Sequence, residues 1–102
     1  MTIGERIKKR RQELGMTQGE LAEKLGNGSR ASVCTVEKDR EDLTLDRVRR
    51  YADALNVEPG YLAGWLTLEE SDAIRLYKQY QESDPQIQAA VETLLAPRKQ
   101  TP

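Results

Sequence analysis

The side chains of this sequence that are best spaced to bind a partner lie between Gly26 and Arg40. Val33 and Val36 recur at helical spacing and predict a helix with one apolar side facing a core. With these valines inward, the outer side of that helix carries small, hydroxyl and guanidinium groups: Ser29, Arg30, Ala31, Cys34 and Thr35. A helix presented in this way is narrow enough to enter the major groove of DNA, which is about 12 Å wide.

Catalysis and metal binding have little support in the same sequence. It contains no His, which removes the imidazole base and the most common nitrogen ligand for metals, and Cys34 has no plausible base beside it. Gly26 and Gly28 are not followed by the Lys-Ser or Lys-Thr of a phosphate-binding loop. The sequence therefore predicts a protein that is not an enzyme and that uses no metal or other cofactor.

A pair of short helices is predicted to hold the outer side of this helix in place. Thr17 and Glu20 form a capping-box pattern at the start of the first helix of the pair, and Gly26 ends it. Ser29 is the predicted N-cap of the second, which runs to about Lys38. The inward positions of the first helix are apolar: Leu21, Ala22 and Leu25.

Three more helices complete a predicted five-helix unit. One precedes the pair and ends at Gly15, one begins after the cap Thr44, and a short one begins at Pro59. Their inward positions are again apolar: Ile3, Ile7, Leu14, Leu45, Val48, Tyr51, Ala52, Leu55, Tyr61 and Leu62. No segment alternates as a strand would.

Composition limits the setting in which this protein works. The net charge is −1, and 12 of the 16 basic residues lie in residues 1–66, a weak asymmetry toward the first part of the chain. No apolar run approaches the roughly 18 residues of a membrane helix, and Met1–Arg11 is too polar for a secretory signal. With a single Cys as well, we expect a cytoplasmic protein that does not insert into a membrane.

Residues 3–66 resemble the Cro and phage-repressor helix-turn-helix family, also called the XRE family. Many short motifs in a fixed order carry the resemblance: Ile3-Gly4-Glu5-Arg6-Ile7, Arg10-Arg11, Leu14-Gly15-Met16-Thr17-Gln18, Glu20-Leu21-Ala22, Leu25-Gly26, Val36-Glu37, Ala54-Leu55-Asn56-Val57 and Tyr61-Leu62. It implies an all-α fold in which a five-helix lambda-repressor-like DNA-binding domain, residues 1–66, precedes two C-terminal helices in residues 67–102. It also implies a transcriptional regulator, most simply a repressor, that binds double-stranded DNA.

The resemblance further implies roles for individual residues. The family's base-reading positions match Ser29, Arg30, Ala31 and Thr35. Arg30 is favoured among them because a guanidinium can bind O6 and N7 of guanine together, which gives about 1–3 kcal/mol of discrimination. Phosphate-contacting positions match Gln18, Lys38 and Arg40, with Lys9 and Arg10 as further candidates. Arg11 and Glu37 match a structural ion pair that joins the first helix to the end of the third.

One spacing departs from the family pattern. The interval between Gly26 and Glu37 is one residue longer than usual, and the turn Gly26-Asn27-Gly28-Ser29 is the natural place for the extra residue. This placement keeps Val33 and Val36 inward. The sequence leaves two neighbouring positions as the first residue of the third helix, and each base-reading assignment can shift by one position in the same way.

Two helices are predicted in the tail, residues 67–102. Thr67 and Glu70 form a second capping-box pattern, Asp84 is the N-cap of the last helix, Pro97 ends it, and the final residues fray. The last helix has an apolar stripe without an obvious partner in the five-helix unit: Ile87, Ala90, Val91, Leu94 and Leu95.

That stripe has two possible partners. It folds back on Tyr61, Leu62 and Trp65 of its own chain, or it packs against a second subunit. We favour a homodimer on a palindromic operator, with four apolar residues at the contact: Ile87, Val91, Leu94 and Leu95. The alternative is an antitoxin-like or regulatory interaction module whose C-terminal helices bind a partner protein.

Overall fold

Our computed structural model describes residues 1–26, 28–82 and 85–99, without the side chains of residues 91 and 94–99. The described residues form α-helices and no strand, which confirms the predicted all-α class. The helices are α1 (Ile3–Glu13), α2 (Gln18–Leu25), α3 (Arg30–Glu37), α4 (Leu45–Ala54), α5 (Pro59–Leu62), α6 (Leu68–Glu82) and α7 (Pro85–Lys99). No helix in this part of the chain is both long and apolar enough to span a membrane.

Local hydrogen bonds start the helices at the predicted caps. The Thr17 hydroxyl accepts from the Glu20 N–H and the Glu20 carboxylate accepts from the Thr17 N–H, each over 3.1 Å. The Ser29 hydroxyl accepts from the Ser32 N–H over 3.1 Å, so α3 begins at Arg30. Each cap satisfies one of the N–H groups that a helix start leaves without a partner.

The last helix ends later than its sequence predicted. It runs to Lys99 and includes Pro97, which we had expected to end it. Proline already has a helical φ, so it can occupy a helical turn, at the cost of one N–H donor and of crowding against the carbonyl group four residues earlier. The predicted cap, Asp84, lies outside the described residues.

Helices α1 to α5 enclose one apolar core. Its buried apolar side chains are Ile7, Leu21, Ala22, Val33, Val36, Val48, Tyr51, Ala52, Leu55, Val57, Tyr61 and Leu62. Leu14 and Leu45, predicted inward, are 40 % and 62 % exposed. Leu14 is the C-cap of α1 and Leu45 is the first residue of α4, so both lie at helix ends, where neighbouring helices cover them less. Helix α6 packs against α5 and α7 packs against α6, so the tail forms a helical hairpin on the five-helix head.

Candidate nucleic-acid interface

Helix α3 is held by its inward valines and by the turn that precedes it. Val33 and Val36 are at most 1 % exposed, and Ala22 of α2 is 5 % exposed where the two helices cross. Gly26 ends α2 with a φ of 85°, a left-handed conformation that glycine adopts without strain. The opposite side of α3 therefore faces solvent.

The predicted base-reading residues lie along that open side. Arg30 and Ala31 are exposed and Thr35 is half-buried, with its hydroxyl donating to the carbonyl of Ala31 over 2.9 Å. Ser29 is exposed and is the N-cap, as described above. The helix begins at Arg30. Cys34 is half-buried beside them.

Arg30 borders a cleft at the start of α2. The cleft, of about 570 Å³, is lined by Arg30 together with Gln18, Gly19 and other residues near the start of that helix. Gln18 and Gly19 are the first two residues of α2, so their N–H groups have no acceptor within the helix. A guanidinium and the positive end of a helix thus face the same space, a combination that attracts an anion such as phosphate.

A buried ion pair connects this cleft to the end of α3. Arg11 Nε lies 2.7 Å from Glu37 Oε2, and Arg11 Nη2 lies 3.1 Å from Glu37 Oε1. Arg11 also donates to the carbonyl of Met16 over 2.8 Å, and Gln18 Nε2 donates to Glu37 Oε1 over 3.2 Å. Both charged residues are less than a tenth exposed. The Gln18 amide is thus oriented by the ion pair, and its carbonyl oxygen is not used in that bond.

The loop after α3 carries two exposed cations, Lys38 and Arg40. Between them Asp39 has a φ of 56°, unusual for a residue other than glycine. Its carboxylate accepts from the N–H of Gly4 over 3.0 Å and from the hydroxyl of Thr2. The loop is therefore fastened to the start of α1, and its two cations are held beside the C-terminal end of α3.

Arg10 lies apart from these residues. Its Nε donates to the carbonyl of Leu55 over 3.1 Å, and its side chain is 13 % exposed. It binds the C-terminal end of α4, where carbonyl groups have no helical partner and attract a cation. The structure thus gives Arg10 a packing role within the head, and its phosphate contact stays a prediction.

Two arginines of α4 near this interface were not predicted from the sequence. Arg47 and Arg50 line a second cleft, of about 230 Å³, together with Gly28, Ser32 and Tyr51 among others. Arg47 is paired with Glu41, and Arg50 lies 3.3 Å from Asp46. Their spacing of three residues puts both on one side of α4. They lie near α3 only because α4 packs beside the turn that joins α2 to α3.

The hairpin of α6 and α7 is joined by polar contacts. Tyr80 donates to Glu92 Oε1 over 2.7 Å, and Gln88 Nε2 donates to the carbonyls of Tyr80 and Gln81 over 3.0 and 2.9 Å. The hydrogen bond to Glu92 raises the pKa of Tyr80 to about 12. Ile87 is 55 % exposed. The other predicted dimer residues, Val91, Leu94 and Leu95, have side chains outside the described part.

Comparison with known proteins gives a family and two curated relatives. A helix-turn-helix family model matches residues 7–62, more than half of the chain. The immunity repressor protein of Bacillus phage phi105 is 36 % identical over 84 residues, which are 82 % of this chain and 57 % of that protein. The HTH-type transcriptional regulator ImmR of Bacillus subtilis (strain 168) is 38 % identical over 64 residues, which are 63 % of this chain and 50 % of that protein.

The chain spans about half the length of these two relatives. No solved structure matched it at a significant level. The matched segment contains both helices of the predicted pair and most of the head. The chain therefore belongs to the helix-turn-helix family of the Cro and phage-repressor type that its sequence resembles.

Proposed function

We propose that this protein is a sequence-specific DNA-binding transcriptional repressor that binds a palindromic operator as a homodimer, with α3 of each subunit in the major groove. The observation that carries this proposal is the open side of α3 with arginines on both flanks. Arg30 borders the cleft at the start of α2, and Arg47 and Arg50 border the cleft beneath the turn. This arrangement offers hydrogen-bonding groups to base edges and positive charge to the two phosphate strands beside the groove.

Base reading is assigned to four residues at the start and on the open side of α3. Arg30 suits guanine through two parallel hydrogen bonds, and Ala31 suits the methyl group of thymine. Thr35 offers a methyl group and the lone pairs of a hydroxyl whose proton is used within the helix. The hydroxyl of Ser29 accepts from a backbone N–H as a cap, which leaves its own proton to donate.

Phosphate binding is assigned to both borders of the groove. Gln18 and the first N–H groups of α2 are assigned to the phosphates of one DNA strand. The start of that helix is positive, and the side-chain amide of Gln18 is already oriented by Glu37. Lys38 and Arg40 serve the backbone near the end of α3. We add Arg47 and Arg50 to this set.

Dimerisation is assigned to the tail because three of the apolar side chains that the structure describes there are largely exposed. Leu76 and Tyr77 of α6 are 68 % and 59 % exposed, and Ile87 of α7 is 55 % exposed. Tyr61 and Leu62 belong to the head core, and Trp65 is 83 % exposed, which favours a second subunit over Trp65 as the partner of α7. A second copy of the hairpin would bury the exposed side chains and set two α3 helices about 34–36 Å apart, one turn of DNA.

Repression follows from occupancy of the operator in this proposal. Both relatives are named as a repressor or a transcriptional regulator, which supports the same role here. Membership of this family also agrees with the prediction that the chain is not an enzyme. The protein would act in the cytoplasm, on double-stranded DNA.

Selection of bound fragments from random duplex DNA tests the proposal directly. We expect an inverted repeat whose half-site centres lie about one helical turn apart. Affinity for the selected site should fall steeply with salt, by about 0.9 in the logarithmic slope for each phosphate neutralised. No enrichment, together with no binding at low salt, would refute DNA binding. Enrichment of a single half-site would refute the dimer alone.

A partner protein remains the second candidate for the tail, because Leu76 and Tyr77 form an exposed apolar pair on α6. Sedimentation of the purified chain distinguishes a second copy of this chain from a different partner protein. A dimer at micromolar concentration supports the homodimer. A monomer that binds one half-site favours a partner of a different kind on the same helices.

A further inference from the structure

Helix α6 is fastened to the head at one carboxylate, that of Glu58. Glu58 precedes α5, and its side chain is 10 % exposed. Arg75 Nη1 lies 3.1 Å from Glu58 Oε2, and Lys78 Nζ contacts Glu58 Oε1. The backbone N–H of Glu58 donates to the hydroxyl of Ser71 over 2.9 Å, and Ser71 is fully buried. Three side chains of α6 therefore contact one residue of the head.

Arg75 adds two more contacts with the same turn of the head. Its Nε donates to Asn56 Oδ1 over 3.1 Å and its Nη1 donates to the carbonyl of Val57 over 3.3 Å. Asn56 has a φ of 57°, a left-handed conformation, in the turn between α4 and α5. The guanidinium therefore contacts three consecutive residues, and its planar donors fix both position and angle.

These contacts lie on one stripe of α6. Ser71, Arg75 and Lys78 follow the spacing of four and three residues that keeps side chains on one side of a helix. Apolar contacts tolerate sliding, but directional hydrogen bonds to a nearly buried carboxylate do not. Helix α6 is therefore attached to the head in a single orientation.

We propose that the cluster of Glu58, Ser71, Arg75 and Lys78 sets the half-site spacing of the operator by fixing the angle at which α6 leaves the head. This inference rests on the proposed homodimer, in which the tails join two heads. Ser71, the first contact of the cluster, lies 11 residues before the end of α6, which is about 16 Å along the helix, so a tilt of about 12° there moves that end by about 3 Å. That displacement is close to one base-pair step of about 3.4 Å. A loosened attachment would thus admit neighbouring spacings.

The test uses the full chain and duplexes in which the selected half-sites are separated in steps of one base pair. The variants are Arg75→Met, which keeps the length of the side chain and removes its donors, and Glu58→Gln, which removes the charge. Arg49→Met is the control for loss of one cation, because Arg49 is an exposed residue of α4 and not a member of the cluster. Melting curves and sedimentation establish that each variant is folded and dimeric at the assay temperature.

We expect wild type and Arg49→Met to prefer one spacing by about tenfold or more over its neighbours, since a rigid dimer fits one spacing. Both cluster variants should bind neighbouring spacings within about threefold of the best one, with unchanged affinity for an isolated half-site. A folded, dimeric Arg75→Met or Glu58→Gln protein with the wild-type preference would overturn the inference and leave the proposed function intact. A wild type without any spacing preference would overturn the inference and the dimeric operator together.

Discussion

The backbone N–H of Gly4 donates to the carboxylate of Asp39 over 3.0 Å, so a residue of the loop after α3 also caps the start of α1. Such a close approach requires glycine. A Cβ at position 4 would lie 2.4 Å from the carbonyl oxygen of Val36 and 2.8 Å from that of Glu37. Both atoms are backbone, so they cannot move aside as a flexible side chain would.

We therefore expect Gly4→Ala to destabilise the head by about 1–3 kcal/mol, because the added methyl group forces α1 and α3 apart. Urea unfolding followed by circular dichroism measures the change. Gly19→Ala is the matched control, since a Cβ there meets its nearest neighbour, the Thr17 hydroxyl, at 3.8 Å. That variant should be neutral or slightly stabilising. Equal effects of the two substitutions would contradict the close contact.

Glu37→Gln tests the buried ion pair. The substitution leaves the Arg11 guanidinium buried without its countercharge, and we expect a loss of about 3–5 kcal/mol in the free energy of unfolding. Glu41→Gln removes the carboxylate of a more exposed pair with Arg47 and should cost less than about 1 kcal/mol. Denaturant titration of both variants gives the comparison. A small effect at position 37 would mean that the pair adds little to the attachment of α3.

Arg30→Ala and Arg40→Ala should differ in kind. Loss of Arg30 should relax discrimination at one base position by about 1–3 kcal/mol and change non-specific binding little. Loss of Arg40 should weaken binding to all sequences about equally and reduce the salt slope by about 1. Competition binding with single-base operator variants at two salt concentrations measures both. An Arg30→Ala protein with full discrimination would assign Arg30 to phosphate, as the cleft it shares with Gln18 also permits.

The hairpin of the tail can be followed through the ionisation of Tyr80. Its hydrogen bond to Glu92 raises the pKa of Tyr80 to about 12, above the value of 10.0 for a free tyrosine. Because the folded pKa is the higher one, the bond contributes fully below about pH 10 and is lost as the pH rises toward 12. The tyrosinate absorbance of wild type minus that of Tyr80→Phe isolates this residue.

In Glu92→Ala the pKa of Tyr80 should return toward that of a free tyrosine. An unchanged titration in this variant would show that α7 does not hold Glu92 against Tyr80 in solution. Tyr51 also has a raised pKa, through burial in the head, so it titrates late in both proteins and cancels in the difference.

The local features of this protein were predictable from its sequence. Thr17, Glu20 and Ser29 act on groups only three residues away, so a short pattern specifies where α2 and α3 begin. The inward positions of Val33 and Val36 follow from helical periodicity in the same way. Together these local signals were sufficient for the all-α class and for the pair of helices that presents α3.

Only the tertiary structure decided the directions of the long side chains. Arg10 and Arg11 are adjacent and chemically identical; the family resemblance implied the pair of Arg11 with Glu37, but no signal in the sequence indicated that Arg10 binds the end of α4. The same holds for Arg75, whose acceptors lie in the turn between α4 and α5. A flexible cation takes its role from whichever acceptor the packing brings within reach, and that acceptor lies far away in the sequence. Sequence periodicity thus determined which helix is presented, and packing determined which charges stand beside it.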